Sequence, residues 1–155
     1  AADNGNRWVR VRTMGTVGIT EHGQANRDGI GAVVQFTPNK RATAMKPILG
    51  GSSYASQDST DAIFGLDDKS WGTIDVVWPG GTRNRLRFAK KGETITFPEI
   101  PCDYRPDQWT AYNDYKQCVI GAIGELKTEG VLSASEAARF KFSALSAYWQ
   151  ELAGG

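Results

Sequence analysis

The 155-residue chain has a single histidine, His22, and only two cysteines, Cys102 and Cys118. One imidazole argues against histidine-based acid–base chemistry and against a zinc site, which draws on several ligands. The cysteine spacing matches neither a zinc pattern nor a redox C-x-x-C. Charge of one sign is not in excess either. Eighteen Lys and Arg face 17 Asp and Glu, a net charge of +1, so the basic surplus that nucleic-acid binding draws on is missing. No apolar run approaches the ~20 residues of a membrane-spanning helix. There is no G-x-S-x-G elbow and no P-loop, and Gly29-Ile30-Gly31 lacks the third glycine and the following helix of a dinucleotide fingerprint.

What is present is an ordinary globular balance, 40% hydrophobic and 23% charged residues, in a chain long enough to bury a core without metal or many disulfides. The length suits one domain, or one domain with a small appendage. Arg7 to Thr13 alternates apolar and basic residues, the period of a half-buried strand. Residues Gly15 to Gly31 hold five glycines and the histidine, and read as a long loop ending in a tight turn. Further strands are expected over Ala32–Phe36, Ala42–Leu49, Ala62–Leu66 and Thr73–Trp78, with Pro47 favouring an edge or a bulge. Arg83–Phe88 and Glu93–Phe97 read as a hairpin around Lys90-Lys91-Gly92. Seven or eight short strands separated by Gly-rich turns point to a mainly β fold, a small antiparallel β-sandwich or barrel, over residues 7–98.

Beyond Pro98 the character changes. Pro101 and Pro106 punctuate a linker, and from Asp107 the apolar period becomes helical. Trp109, Tyr112, Val119, Ile123 and Leu126 form one stripe, which Gly130 ends. Ser133-Ala134-Ser135-Glu136 is a capping box that opens a second helix, with Ala138, Phe142, Leu145, Trp149 and Leu152 as its expected stripe. Residues 99–155 therefore read as a linker and a C-terminal α-helical hairpin, packed on the β domain or on a partner.

The Gly-rich turns carry a resemblance. Asn26-Arg27-Asp28-Gly29-Ile30-Gly31-Ala32 is followed by Gly51-Ser52-Ser53-Tyr54-Ala55-Ser56-Gln57, by Ile63-Phe64-Gly65-Leu66 and by Val77-Trp78-Pro79-Gly80-Gly81. In this order they resemble the N-R-D-G-I-G-A, G-S-x-Y-x-S-Q, H-F-G-L and R-W-P-S-G stretches of the ASPIC/UnbV family, over roughly Trp8 to Phe97. Ile63 stands where that family has histidine, Val17 to Ala25 is an insertion, and the helical hairpin is an addition. The resemblance implies a small β module that usually follows FG-GAP-type propeller repeats in exported proteins, and it implies no catalytic residues. Ala1-Ala2-Asp3 reads either as the mature end left by a signal peptidase or as the boundary of a fragment. In an exported chain Cys102 and Cys118 are expected as a disulfide closing a loop of about 16 residues, the alternative being two buried thiols.

These readings favour a non-enzymatic exported module, extracellular or periplasmic, that docks on another protein or a surface polymer and needs no cofactor. The aromatic residues Tyr104, Trp109, Tyr112, Tyr115, Tyr148 and Trp149, together with His22, are the candidate partner-binding set, because aromatics are enriched at interface hot spots. One alternative is an extrinsic subunit on the extracellular or thylakoid-lumenal face of a membrane protein complex, a photosynthetic complex included. Another is a calcium-binding module using Asp28, Asp58 or Asp61. Asp58 with Asp61 is also the carboxylate pair a hydrolase would use. Against both stands simple turn chemistry, in which Asn and Asp bond their own backbone.

Overall fold

In the computed structural model, residues 8–39, 42–49, 61–66 and 71–154 are described. Strand β1 (Trp8–Met14) is followed by β2 (Val33–Pro38), β3 (Ala44–Pro47), β4 (Asp61–Gly65), β5 (Trp71–Val77), β6 (Arg83–Lys90) and β7 (Thr94–Pro98). Two helices follow, α1 (Tyr112–Thr128) and α2 (Ala134–Gly154). The strands form two sheets, one of order β4-β1-β7 and one of order β3-β2-β5-β6. All pairs are antiparallel except β1 with β7. The expected antiparallel sandwich with a helical hairpin is thus present, as two separate sheets and not a closed barrel. Helix and strand take about equal shares of the chain.

Alternation builds the core. Val9, Val11 and Thr13 of β1 are buried while Trp8, Arg10 and Arg12 are not. Ile74 and Val76 of β5, with Val34 and Phe36 of β2, do the same in the second sheet. The layers meet where Phe36 stacks on Phe64 at 5.4 Å and Trp78 meets Phe97 at 6.4 Å. Pro47 lies on edge strand β3, where its missing N–H costs no ladder bond. Lys46 of the same strand donates to the Ile63 carbonyl of β4, bridging the two sheets.

The expected β6–β7 hairpin is corrected. β6 pairs with β5, and β7 runs parallel to β1 in the other sheet. The Lys90-Lys91-Gly92 turn forms, with Gly92 at φ 83°, but it carries the chain between layers. Gly92 N–H donates to Trp8 O, and Arg10 N–H to Glu93 O, which hands the strand to β1. Just before it, the ladder shifts register between Gly72 and Ile74. Phe88 sits there at φ 60°, exposed beside Trp71 at 5.2 Å. This bulge bends β6 out of the geometry that a hairpin would continue.

The helices pack on this frame. α1 begins at Tyr112, later than Asp107, which lies in a 3-10 turn over Pro106–Gln108. Val119, Ile123 and Leu126 are buried as the stripe predicts. The Ser133–Glu136 capping box forms reciprocally, Glu136 N–H to Ser133 Oγ at 3.2 Å and Ser133 N–H to Glu136 Oε1 at 2.8 Å. The stripe expected on α2 is corrected. The buried face is Ala137, Phe140, Ser143, Ala144, Ala147 and Tyr148, while Phe142, Trp149 and Leu152 are exposed. Small residues let α2 approach closely enough for Ser143 Oγ to accept the Arg87 N–H of edge strand β6 at 3.0 Å, and for Tyr115 OH to donate to Ala144 O at 2.7 Å. The helix thereby covers a sheet edge that would otherwise present unpaired backbone.

Candidate interaction cleft

The Gly15–Ala25 segment is held by one buried carboxylate. Glu99, 1% exposed, follows β7 directly. Its Oε1 accepts the N–H groups of Thr16 and Ala25, each at 3.0 Å, and Oε2 accepts Gln24 N–H at 3.1 Å. Thr16 Oγ1 reaches Oε1 at 3.0 Å as well. Among the described residues no basic side chain pairs with Glu99. The carboxylate is compensated by the loop backbone itself, which ties loop to sheet. The loop can fold so tightly only because Gly15 and Gly23 carry no side chain. A Cβ at Gly15 would lie 1.8 Å from Asn26 O, and one at Gly23 would lie 2.2 Å from Thr16 O. Glu99 was not among the residues nominated from sequence. A lone glutamate between two apolar residues in a presumed linker gives no signal of a partner 83 positions away.

The far side of the loop faces α1. Glu125 of α1 accepts Glu21 N–H on both carboxylate oxygens at 3.2 Å. Between them opens a cleft of about 620 Å³ whose lining includes Glu21, His22, Trp109, Cys118, Gly121 and Glu125. Its base is fixed covalently by the Cys102–Cys118 disulfide, with Cα atoms 6.0 Å apart. The expected disulfide is therefore present, and it is consistent with an exported domain. Trp109 is held at its indole, which donates to Asp103 O at 2.7 Å, and by an edge contact with Tyr115 at 5.6 Å. His22 is exposed at the rim, Nε2 3.8 Å from Glu21 Oε2. Sequence reasoning singled out His22 and Trp109 for separate reasons, and the fold brings both to one cleft.

The other nominated aromatics divide. Tyr104, Tyr115 and Tyr148 are buried, so they serve the fold, and the expectation that they form a contact surface is corrected. Tyr104 OH donates to Asp75 Oδ2 at 2.8 Å, and the Arg85 guanidinium, bonded to the same carboxylate at 2.7 and 3.0 Å, lies over the Tyr104 ring. Burial and the adjacent Asp75 carboxylate push the Tyr104 phenol well above its ordinary pKa. Burial, with a smaller effect of Asp103, does the same to Tyr115. Desolvation works against the Arg85 charge, but Asp75 more than offsets it and holds the pKa above the usual value. Tyr112 is half-buried, packed on Trp149 at 4.7 Å, and Trp149 remains 48% exposed and is not among the residues that line the cleft at His22.

The acidic candidates fare differently. Asp61, its side chain nearly buried, is bonded by Arg12 Nε at 3.0 Å and approached by Arg10 at 3.5 Å. Its oxygens answer arginines on the neighbouring strand. Asp28 is exposed, and what it contributes is its backbone carbonyl, which accepts Thr13 Oγ1 at 2.8 Å. Asn26 Oδ1 accepts Gly29 N–H at 3.1 Å and Ile30 N–H at 3.3 Å, the expected Asx-type turn, with Gly29 at φ 70° against Trp78. Asp58 lies outside the described residues, as does the Gly51–Gln57 motif. Among the described residues no three His, Cys, Asp or Glu side chains gather as metal ligands, and no helix is long and apolar enough to cross a membrane.

The remaining motif turns are structural anchors. Trp78 is buried and its indole donates to Asn84 Oδ1 at 2.7 Å. Asn84 in turn accepts Ile100 N–H and donates to Ile100 O, both at 2.9 Å, fastening the linker to β6. Gly80 and Gly81, at φ 96° and 103°, close the turn after Trp78. Comparison with curated proteins finds no match. Comparison with protein families matches residues 22–101 to ASPIC and UnbV, from within the Gly15–Ala25 loop to the residue before Cys102. With more than half of its length matched and with three of the four motif turns in the described structure, the chain belongs to the ASPIC and UnbV family.

Proposed function

We propose that this chain is an exported, non-enzymatic interaction module, extracellular or periplasmic, and that it seats a basic side chain of a protein partner in the cleft between the Gly15–Ala25 loop and α1. The observation that carries the reading is the convergence of Glu21 and Glu125, 104 positions apart, with Trp109 on one cleft of about 620 Å³. That volume is in the range of small-ligand sites. Carboxylates beside an indole suit a lysine or arginine, whose charged head meets the acid while its stem or guanidinium plane lies along the ring. The disulfide below and the Glu99 clamp behind the loop hold the walls in place, which reduces the ordering cost of binding.

Gly121 provides the test. It lines the cleft from an exposed position on α1, and a Cβ there meets nothing within 4 Å. Gly121→Arg should fold at least as well as the parent and should occupy the cleft with its own guanidinium. N-acetyl-arginine amide and N-acetyl-lysine amide, titrated while amide and indole NMR signals are followed, should shift Trp109, His22 and Gly121 in the parent and leave Gly121→Arg unaffected. Shifts caused instead by neutral oligosaccharides would move the reading to a surface polymer. Silence toward the basic amides would refute it.

A further inference from the structure

A second surface is only partly used by the fold, through Leu145 against the core and Trp149 against Tyr112. Ala138, Phe142, Leu145, Trp149 and Leu152 lie on α2 away from its buried face, and three of them are largely exposed: Phe142 at 56%, Trp149 at 48% and Leu152 at 55%. Their spacing is four, three, four, three, the repeat of a coiled-coil seam. α2 thus has two apolar faces. One, which carries Ala137, Phe140, Ser143, Ala144, Ala147 and Tyr148, is spent on the rest of the fold. The other, of large residues, forms a stripe roughly 21 Å long.

The ends of the stripe differ in charge. At the Ala138 end, Lys127 and Lys141 share a depression with Ile120. At the Leu152 end, Asp107 and Glu151 lie beside Leu152; Glu151 is shared with Arg85 at 3.5 Å and Arg105, also there, is bound to Asp103 at 2.8 Å, while Asp107 is in no ion pair among the described residues. The last turn of α2 has no basic residue to offset its carbonyl dipole. From this order we infer that α2 pairs antiparallel with α2 of a second copy of this chain, about a two-fold axis at the level of Ala147. Phe142 of each copy then opposes Leu152 of the other, and Leu145 opposes Trp149, so each large apolar residue from Phe142 to Leu152 meets another. Lys141 reaches the Leu152 end of the opposite copy, where Asp107 and the carbonyl end of the helix lie. A parallel pair would set lysines against lysines and acids against acids. The contact is isologous and closes on itself. It uses a face of the hairpin other than the cleft and does not depend on the cleft's role.

Sedimentation equilibrium of the intact chain, from micromolar to several hundred micromolar, should show a monomer–dimer equilibrium. Phe142→Glu, at an exposed position, should raise the dissociation constant at least tenfold with the far-UV circular dichroism unchanged. Leu152→Lys serves as a second disruptor at the other end. Lys141→Glu should weaken the dimer, and added salt should weaken the parent in the same direction. Direction is read by cross-linking. Ser146→Cys, near the two-fold axis, should oxidise to a covalent dimer, and Lys141→Cys, about 18 Å from its copy in the antiparallel pair, should not. A monomer throughout the concentration range overturns the proposal and leaves the stripe to a different protein. So does a dimer indifferent to both Phe142→Glu and Leu152→Lys, or one trapped by Lys141→Cys and not by Ser146→Cys.

Discussion

Replacing Glu99 by glutamine tests whether one carboxylate holds the loop that shapes the cleft. The amide oxygen can take the place of Oε1 and keep Thr16 and Ala25 N–H, each at 3.0 Å. The amide nitrogen then replaces Oε2 and faces Gln24 N–H, donor against donor at the present 3.1 Å, which leaves Gln24 N–H only its second bond, to Oε1 at 3.2 Å. Two effects add. Bonds to a charged acceptor are worth ~1 kcal/mol more than neutral ones, and the opposed donor at Gln24 costs ~1 kcal/mol more. Glu99→Gln should therefore cost ~2 kcal/mol, and Glu99→Ala, which strips the acceptor from three backbone donors, ~4–5 kcal/mol. At ~2–4 °C per kcal/mol for a chain of this size, the glutamine variant should melt roughly 4–8 °C lower. Urea unfolding gives the global figure, and amide exchange at Thr16, Gln24 and Ala25 gives the local one. If the loop opens on its own, exchange at these three rises while exchange at Val11 and Ile74 in the strands stays slow. A loss under ~0.5 kcal/mol with unchanged exchange at Thr16, Gln24 and Ala25 would refute the clamp.

Other expectations follow from separate parts of the fold. Gly121→Ala and Gly124→Ala lie in α1 with free space at the Cβ position, so each should raise stability by ~0.5–1 kcal/mol in chemical unfolding, through reduced freedom of the unfolded chain. Removing the Cys102–Cys118 bridge by a double alanine substitution should cost roughly 3 kcal/mol, the chain-entropy value for a loop of about 16 residues, visible as a lower urea midpoint. Burial alone would raise the pKa of Glu93, but hydrogen bonds from Arg139 and from the Lys90 backbone hold it below the ordinary value. A depressed carboxylate contributes stability above its unfolded pKa that is lost as pH falls through its folded one. Melting temperature should thus decline on acidification below pH ~4.3, and the part due to this pair should vanish in Glu93→Gln. Tyr104 and Tyr115, both raised, should stay protonated past the ordinary phenol range in ultraviolet titration, and the stability they add should be full below pH ~10 and fall steadily as pH rises above it toward their folded pKa values.

Local signals in the sequence located most elements, and the failures share a cause. Alternation in Trp8–Met14 and the reciprocal capping at Ser133 and Glu136 are decided within a few residues, and both stand in the structure. The β6–β7 hairpin failed because a turn signal reports a reversal of the chain and not the sheet that receives it. The deciding bonds, from Gly92 and Arg10, join segments more than 80 positions apart. The α2 stripe failed differently. Two apolar periods coexist on that helix, and periodicity alone does not rank them. Contact with β6 selects the face that carries Ser143, whose Oγ comes within 3.0 Å of Arg87 N–H. Glu99 was invisible for the reason that it matters: three of its four donors are backbone N–H groups, which almost any residue type could supply.

The boundaries of the family match place the cleft at a seam. Residues 22–101 include His22, Glu99 and Pro101, whereas Trp109, Cys118, Gly121 and Glu125 lie beyond it. The loop wall enters the match at His22, with Glu21 just before it, and the other wall belongs to the helical addition, with the disulfide crossing near the junction at Cys102. A module that only needed to cover its sheet edge could do so with α2, through Ser143 and Arg139. α1 makes no comparable bond to β6. What it supplies to the loop is Glu125, on Glu21 N–H, and with it the acidic wall. The cleft thus takes Glu125 and Trp109 from the addition and the Glu99 clamp of its loop from the module. The two contributions are separable: Glu99→Gln should loosen the loop and weaken binding of basic amides through disorder, while Glu125→Gln should leave the Glu99 bonds intact and weaken binding through charge. Equal salt dependence of the residual affinity in both variants would contradict this division, since only the Glu125 variant removes a charge that faces the ligand.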